Sequence, residues 1–255
     1  MSNKLLKTYR TMYEQCFIPI FIKDDYDTET LLQGCRLAGI NAIEYTLRRQ
    51  DARDMIPNLK SRYGDLVVSV GSTLDSAKIV SKMSKQSPQL MTLDEIASCG
   101  VDGFVSMIPW SLRSINQFSK THIVIPSGET LGECLMQMDA GAHFIKMSGM
   151  DLDFVKKCRA IPTFGFCPIF VTGGITLERI PFAFEAGAVL VASGFDVILS
   201  GISALGLTPE TVCGRLLEFR ESARSARNRK YPVLCDAKRL CDEEWLEILP
   251  HYHPF

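Results

Sequence analysis

Eight short apolar runs, each followed by a stretch with helical spacing, constrain this chain more than any other feature. The runs fall at residues 16–22, 41–47, 66–70, 102–107, 122–125, 142–146, 168–171 and 188–192. Between them, helical patterns cover 27–37, 51–59, a stretch from 75, 93–99, 111–119, 130–138, 152–159 and 177–186. Strands that alternate with helices over short connections make a parallel sheet, and eight such units close it into a barrel. The pattern therefore predicts the α/β class and a TIM (β/α)8 barrel, with an open doubly wound sheet as the alternative. An amphipathic helix over 2–14 precedes the first strand, and a long helix over 208–227 follows the last. We read residues 1–227 as the barrel with its N-terminal helix, and 228–255 as a C-terminal extension. That extension is charged and proline-punctuated. Its helix near 242–248 can dock through Trp245 on the barrel or on a neighbouring subunit.

Local punctuation supports these boundaries. Asp27 or Thr28 can cap the first barrel helix and Gly39 stops it. Thr130 and Glu133 form a capping-box pattern. Pro19 inside the first run suggests an irregular or edge-like start. The polar segment 81–92, which contains Pro88, reads as an insertion between two helical pieces.

Charge narrows the partners. With 28 basic and 29 acidic side chains, the formal net charge of -1 gives no pull toward nucleic acid or membrane. No apolar run approaches the ~20 residues needed to span a bilayer. At the start, Leu5-Leu6 is followed at once by Lys7, which is no secretory-leader core. Nine scattered cysteines without a Cys-x-x-Cys pair read as free thiols of a reducing cytoplasm. His251 and His253 form a lone His-x-His pair without further ligands, so no metal site is expected.

In such a barrel the functional groups gather at the C-terminal ends of the strands. The rim here carries Glu44 and Arg48, Thr73, Met107, Lys146, Thr172-Gly173-Gly174, and Ser193-Gly194. Phe144 and Lys146 share a strand face, so a closed interior would place the lysine amine where water is scarce. Burial favours the free amine, which is a nucleophile toward carbonyls. A nearby carboxylate can shuttle protons, and an arginine can hold a keto acid by its fork of donors. Paired glycines between a strand and a helix offer backbone N–H groups to an anion. This route needs no metal or cofactor.

These residues resemble the class I pyruvate aldolases that cleave 2-keto-3-deoxy-6-phosphogluconate and 4-hydroxy-2-oxoglutarate. The resemblance runs from about Phe17 to Leu199. The strand Gly39-Ile40-Asn41-Ala42-Ile43-Glu44-Tyr45-Thr46-Leu47-Arg48 is similar to the family's Glu-x-Thr-Leu-Arg strand. That implies Glu44 as general acid/base and Arg48 as the carboxylate clamp. Gly71-Ser72-Thr73 resembles the family's Gly-x-Gly-Thr turn and implies Thr73 as a second carboxylate contact. The spacing from Ile125-Pro126 through Glu133, Met136, Met138-Asp139 and Gly141 to Lys146 is similar without a gap. It implies Lys146 as the Schiff-base lysine. Thr172-Gly173-Gly174-Ile175 resembles the substrate and phosphate loop. The resemblance further implies a homotrimer acting on a small keto acid and an aldehyde.

The departures lie around the distal end of the substrate. Met107 stands where the family has a proline beside the substrate, and Met147-Ser148-Gly149 replaces Phe-Phe-Pro. After strand eight the family's Gly-Gly-Ser becomes Ser193-Gly194-Phe195, which puts a bulky ring in place of the phosphate-binding serine. The expected role of Gly173, Gly174, Ser193 and Gly194 is thus to bind a distal group, phosphate or a replacement for it. The expectation is a lyase that reversibly cleaves a 2-keto-4-hydroxy acid to pyruvate and an aldehyde. Two other readings fit the residues taken alone: an isomerase or epimerase of sugar phosphates, and a non-catalytic metabolite-binding barrel.

Overall fold

The computed structural model describes residues 3–161, 165, 167–203 and 206–255. Eight strands run through it: Phe17–Phe21 (β1), Ala42–Thr46 (β2), Val67–Gly71 (β3), Gly103–Val105 (β4), Ile123–Ile125 (β5), Ile145–Ser148 (β6), Ile169–Thr172 (β7) and Leu190–Gly194 (β8). The described helices are Asn3–Gln15 (α1), Thr28–Leu37 (α2), Ala52–Arg62 (α3), Ala77–Met83 (α4), Leu93–Ser98 (α5), Leu112–Phe118 (α6), Leu131–Asp139 (α7), Leu152–Ala160 (α8), Ile180–Ala186 (α9), Phe195–Ile198 (α10), Pro209–Lys230 (α11) and Asp242–Glu247 (α12). Residue 2, the first of the expected N-terminal helix, lies outside the described residues.

All pairings are parallel, in the order β5-β4-β3-β2-β1-β8-β7-β6. The two ends of that order meet. The His143 N–H donates to Val124 O at 3.0 Å, the Lys146 N–H to Pro126 O at 2.8 Å, and the Gly128 N–H to Lys146 O at 3.1 Å. The sheet therefore closes into a (β/α)8 barrel, and the closing seam runs through Lys146. Closure removes the open doubly wound alternative.

The apolar runs are continuous because both strand faces are buried. Ile18, Ile20, Val67, Val105, Ile125, Phe144, Phe170 and Leu190 belong to one cluster that fills the barrel. Their alternating neighbours, among them Phe21, Tyr45, Val70, Val124, Ile145 and Val171, pack in a second cluster under the helices. At the N-terminal end of the barrel, α1 lays Tyr9, Met12 and Tyr13 against the inner cluster. Tyr9 stacks on Phe144 with centroids 4.7 Å apart.

The C-terminal tail packs on the same end of its own chain. Trp245 is fully buried, edge-on to Tyr13 at 5.4 Å and to Tyr9 at 5.9 Å. Arg10 covers the Trp245 ring at 5.4 Å and pairs with Asp242 at 2.7 Å. Trp245→Ala is expected to cost about 3–5 kcal/mol, the range for deleting a large buried aromatic side chain. Urea unfolding measures it. The arrangement at the strand C-termini should persist in the remaining folded protein, because the tail sits at the opposite end of the barrel.

Three expectations change in detail. Pro19 does not mark an edge: β1 lies between β2 and β8. The proline is tolerated because the β1–β2 ladder begins at Ile20, one residue beyond it. The strand carrying Lys146 does not end there but runs to Ser148, because β6 pairs with β7 from Ile145↔Ile169 to Ser148↔Thr172. Helix α4 extends to Met83, so the insertion proper is shorter than 81–92. Arg53 of α3 holds that loop through Pro88 O at 2.9 Å and Leu90 O at 2.7 Å.

Candidate active site

The C-terminal strand ends open into a cavity of about 750 Å³ whose lining includes Glu44, Arg48, Met107, Lys146, Thr172, Gly173, Gly174, Ser193 and Gly194. β2 and β6 are four strands apart in either direction around the ring. Glu44 and Lys146 consequently face each other across the barrel interior, each on an inward-pointing position of its strand.

Glu44 is buried, and its Oε2 has no hydrogen-bond partner. Room for this carboxylate comes from β3. A Cβ on Gly71 would sit 2.0 Å from Glu44 Oε1, so any larger residue there must displace the carboxylate. Burial pushes the Glu44 carboxyl above its ordinary range, and the opposing pull of Lys146 and Arg48 does not cancel this. Burial pulls the Lys146 amine below its ordinary range, with Arg48 adding to the effect and Glu44 opposing it. The two groups are thus driven toward each other: a lysine inclined to be neutral beside a carboxyl inclined to hold its proton. Such opposed tuning is what proton transfer at an amine nucleophile requires.

A pH consequence follows. The neutral amine accumulates as pH rises through the lowered Lys146 value, so the ascending limb of kcat/KM should lie below the ~10.4 of free lysine. Protonated Glu44 is lost as pH rises through its raised value, so the descending limb should lie above the ~4.3 of free glutamate. Where this pair carries the proton transfer, the two limbs form one bell-shaped profile. A rate that stays flat from about pH 5 to about pH 10 would show an unperturbed pair.

Arg48 lies two residues beyond β2 and is exposed to the cavity, with its Nε donating to Ser72 Oγ at 3.1 Å. Ser72 adopts φ 61, in the left-handed region that non-glycine residues seldom occupy. That turn puts the Ser72 hydroxyl beside Arg48. The neighbouring Arg49 serves the structure instead. It is buried, bonds Thr28 at 2.7 Å and Asp51 at 2.9 Å, and lies over the Tyr45 ring.

Two sequence expectations do not hold in space. Thr73 is fully buried and does not reach the cavity; its hydroxyl donates to Val105 O at 2.9 Å. Phe195 does not occupy the distal end either. Its ring points into the layer beneath the helices, edge-on to Phe21 at 4.8 Å. The group that borders the cavity there is the next residue, Asp196. Ser193 lines the cavity, but its hydroxyl donates to Ile175 O at 2.6 Å and so fixes the loop after β7. Gly173 and Gly174 stand at φ 83 and φ 64, and both are exposed. Met107 sits half-exposed at the mouth.

Several lining residues escaped the sequence reading: Lys23 after β1, Ser127 and Glu129 after β5, Ser148 at the end of β6 and Asp151 after it, and Asp196 after β8. Their signal was position alone, within a few residues of a strand's C-terminal end.

No family model matches this sequence, and no curated protein does. Solved structures do match in fold. The 2-keto-3-deoxy-6-phosphogluconate aldolase of Zymomonas mobilis with 3-phosphoglycerate superposes with a TM-score of 0.67 at 19% identity, over 87% of this chain and 99% of that one. The KDPG aldolase of Legionella pneumophila, with pyruvate captured as a covalent carbinolamine, gives 0.60 at 14% identity, over 82% and 96%. The thiamine phosphate pyrophosphorylase of Pyrococcus furiosus gives 0.58 at 14% identity, over 84% and 98%. The fold is that of the aldolases the sequence resembles, and it is shared with other chemistry. Function must therefore be argued from the site.

Proposed function

We propose that this chain is a class I lyase that reversibly joins pyruvate and an aldehyde into a 2-keto-4-hydroxy acid. The observation that carries this is the pair Lys146 and Glu44, facing across a closed barrel with their proton affinities pushed toward each other. In this reading the Lys146 amine attacks C2 of pyruvate, and the proton that the nitrogen gives up passes to the carbonyl oxygen to give a carbinolamine. Glu44 protonates the departing hydroxyl, water leaves, and an iminium forms. The cationic iminium withdraws electrons from C3, so a C3 proton passes to Glu44 and an enamine results. C3 of the enamine then attacks the aldehyde carbon. The new alkoxide takes the proton back, and water releases the product from Lys146. Cleavage runs these steps in reverse.

Arg48 would hold the pyruvyl carboxylate, with its fork oriented by Ser72. Thr172 would pack beside the bound keto acid, and Met107 would cover it from the mouth. Gly173, Gly174, Ser193 and Gly194 would border the aldehyde's distal end. We read the working form as a cytoplasmic homotrimer, on the sequence resemblance. Proton NMR in deuterated water tests the chemistry: pyruvate methyl protons should exchange in the presence of the protein and not with Lys146→Met. Absence of exchange with the native chain would remove the aldolase reading.

A further inference from the structure

The charges around the cavity divide into two groups. Glu44, Arg48 and Lys146 serve the reacting end. The remaining ionisable lining groups are Lys23, Glu129, Asp151 and Asp196. Three carboxylates therefore stand against one lysine. That lysine is already paired, with Lys23 Nζ 3.5 Å from Asp196 Oδ2. Asp151 spends one oxygen on the N-terminus of α8, accepting from the Phe154 N–H at 3.0 Å. Arg179 sits beyond the loop after β7, does not line the cavity, and donates to Gly149 O at 2.5 Å.

Asp196 is the residue best placed to act on the far end of a substrate. A Cβ on Gly194 would lie 2.3 Å from Asp196 Oδ1, so the carboxylate is folded back over the end of β8 beside this glycine. Its Oδ1 is buried without a hydrogen-bond partner. The rest of the carboxylate borders the cavity, where it favours a ligand that brings a donor and opposes one that brings another anion. Gly173 and Gly174, whose backbone N–H groups could serve an anion, share the cavity lining with these carboxylates.

We propose that Asp196 sets the aldehyde specificity of this site: it selects an acceptor with an uncharged, hydroxylated distal end and rejects a phosphorylated one. The inference rests on the aldolase reading and names its substrate class. A substrate hydroxyl donates to the exposed part of the Asp196 carboxylate, and a phosphate dianion in that place meets Asp196 and Asp151, with Lys23 already paired to Asp196. Neutralising Asp196 reverses the preference twice over, because it removes the repulsion and releases Lys23 toward the cavity.

The test compares pyruvate addition to D-glyceraldehyde and to D-glyceraldehyde 3-phosphate in the native chain, Asp196→Asn, Asp196→Ser, and Asp196→Asn with Lys23→Met. The native chain should favour the unphosphorylated aldehyde by about tenfold or more in kcat/KM, as like-charge opposition predicts. Asp196→Asn and Asp196→Ser should each move that ratio toward the phosphorylated aldehyde by about tenfold, and Lys23→Met should take back part of the gain. Raising the salt should narrow the native preference. A native preference for the phosphorylated aldehyde, or a ratio unmoved by both Asp196 substitutions, overturns the assignment. Borohydride reduction of the same samples with pyruvate separates the two layers. An adduct together with an unmoved ratio removes only the role of Asp196, whereas no adduct removes the aldolase reading beneath it.

Discussion

Lys146→Met is expected to lower pyruvate-dependent turnover by about 10⁴-fold or more, equivalent to ~5.5 kcal/mol of lost transition-state stabilisation. Methionine keeps the unbranched stem that passes the β5–β6 seam but supplies no amine, so no covalent intermediate can form. The backbone bonds that close the barrel at this position, to Pro126 O and from the Gly128 N–H, do not involve the side chain. The variant should therefore fold. It should also melt at a higher temperature than the native chain, because the cost of holding an amine in this interior is removed. Steady-state turnover and thermal melting together separate this outcome from simple misfolding. Loss of activity with a lowered melting temperature would point to a structural lysine instead.

Glu44→Gln is expected to lower kcat by about 10²–10⁴-fold, the usual worth of a positioned acid/base group. Binding of pyruvate through Arg48 should survive, so KM should change much less than kcat. Gly71→Ala offers the same test without altering either reacting group. The added Cβ would lie 2.0 Å from Glu44 Oε1 and must displace the carboxylate. Its kcat should fall in parallel with Glu44→Gln while Lys146 stays chemically intact. Glu44 also carries a stability signature. Its folded pKa is raised, so above ~4.3 the folded chain holds a proton that the unfolded chain releases. Stability from this group is fully present below that value and is lost as pH rises through the raised one. Denaturation of Glu44→Gln should lack this slope.

The sequence revealed the barrel because its period is simple. A run buried on both faces reads as continuously apolar, and eight such runs between helical stretches leave few architectures. It also pointed to Glu44 and Lys146, charged residues inside apolar runs, and the fold brings both to one cavity. Thr73 misled because a one-dimensional reading cannot see the left-handed turn at Ser72, which gives the hydroxyl beside Arg48 to the serine. Phe195 misled for a related reason. It directly follows the last residue of β8, and a one-position difference in facing exchanges a ring for the carboxylate of Asp196. Lys23 and Glu129 have no local signature. They reach the cavity only because the barrel closes, and closure is a property of the hydrogen bonds between β5 and β6 rather than of either segment.

The central claim is that Lys146 forms a covalent adduct with a keto acid. Reduction with borohydride in the presence of pyruvate, followed by mass mapping of the peptides, tests it most directly. A stable mass increase of one reduced pyruvyl unit on Lys146, absent from Lys146→Met and slowed in Glu44→Gln, is the expected result. An unmodified Lys146 in active protein, or an adduct spread over surface lysines, would contradict it.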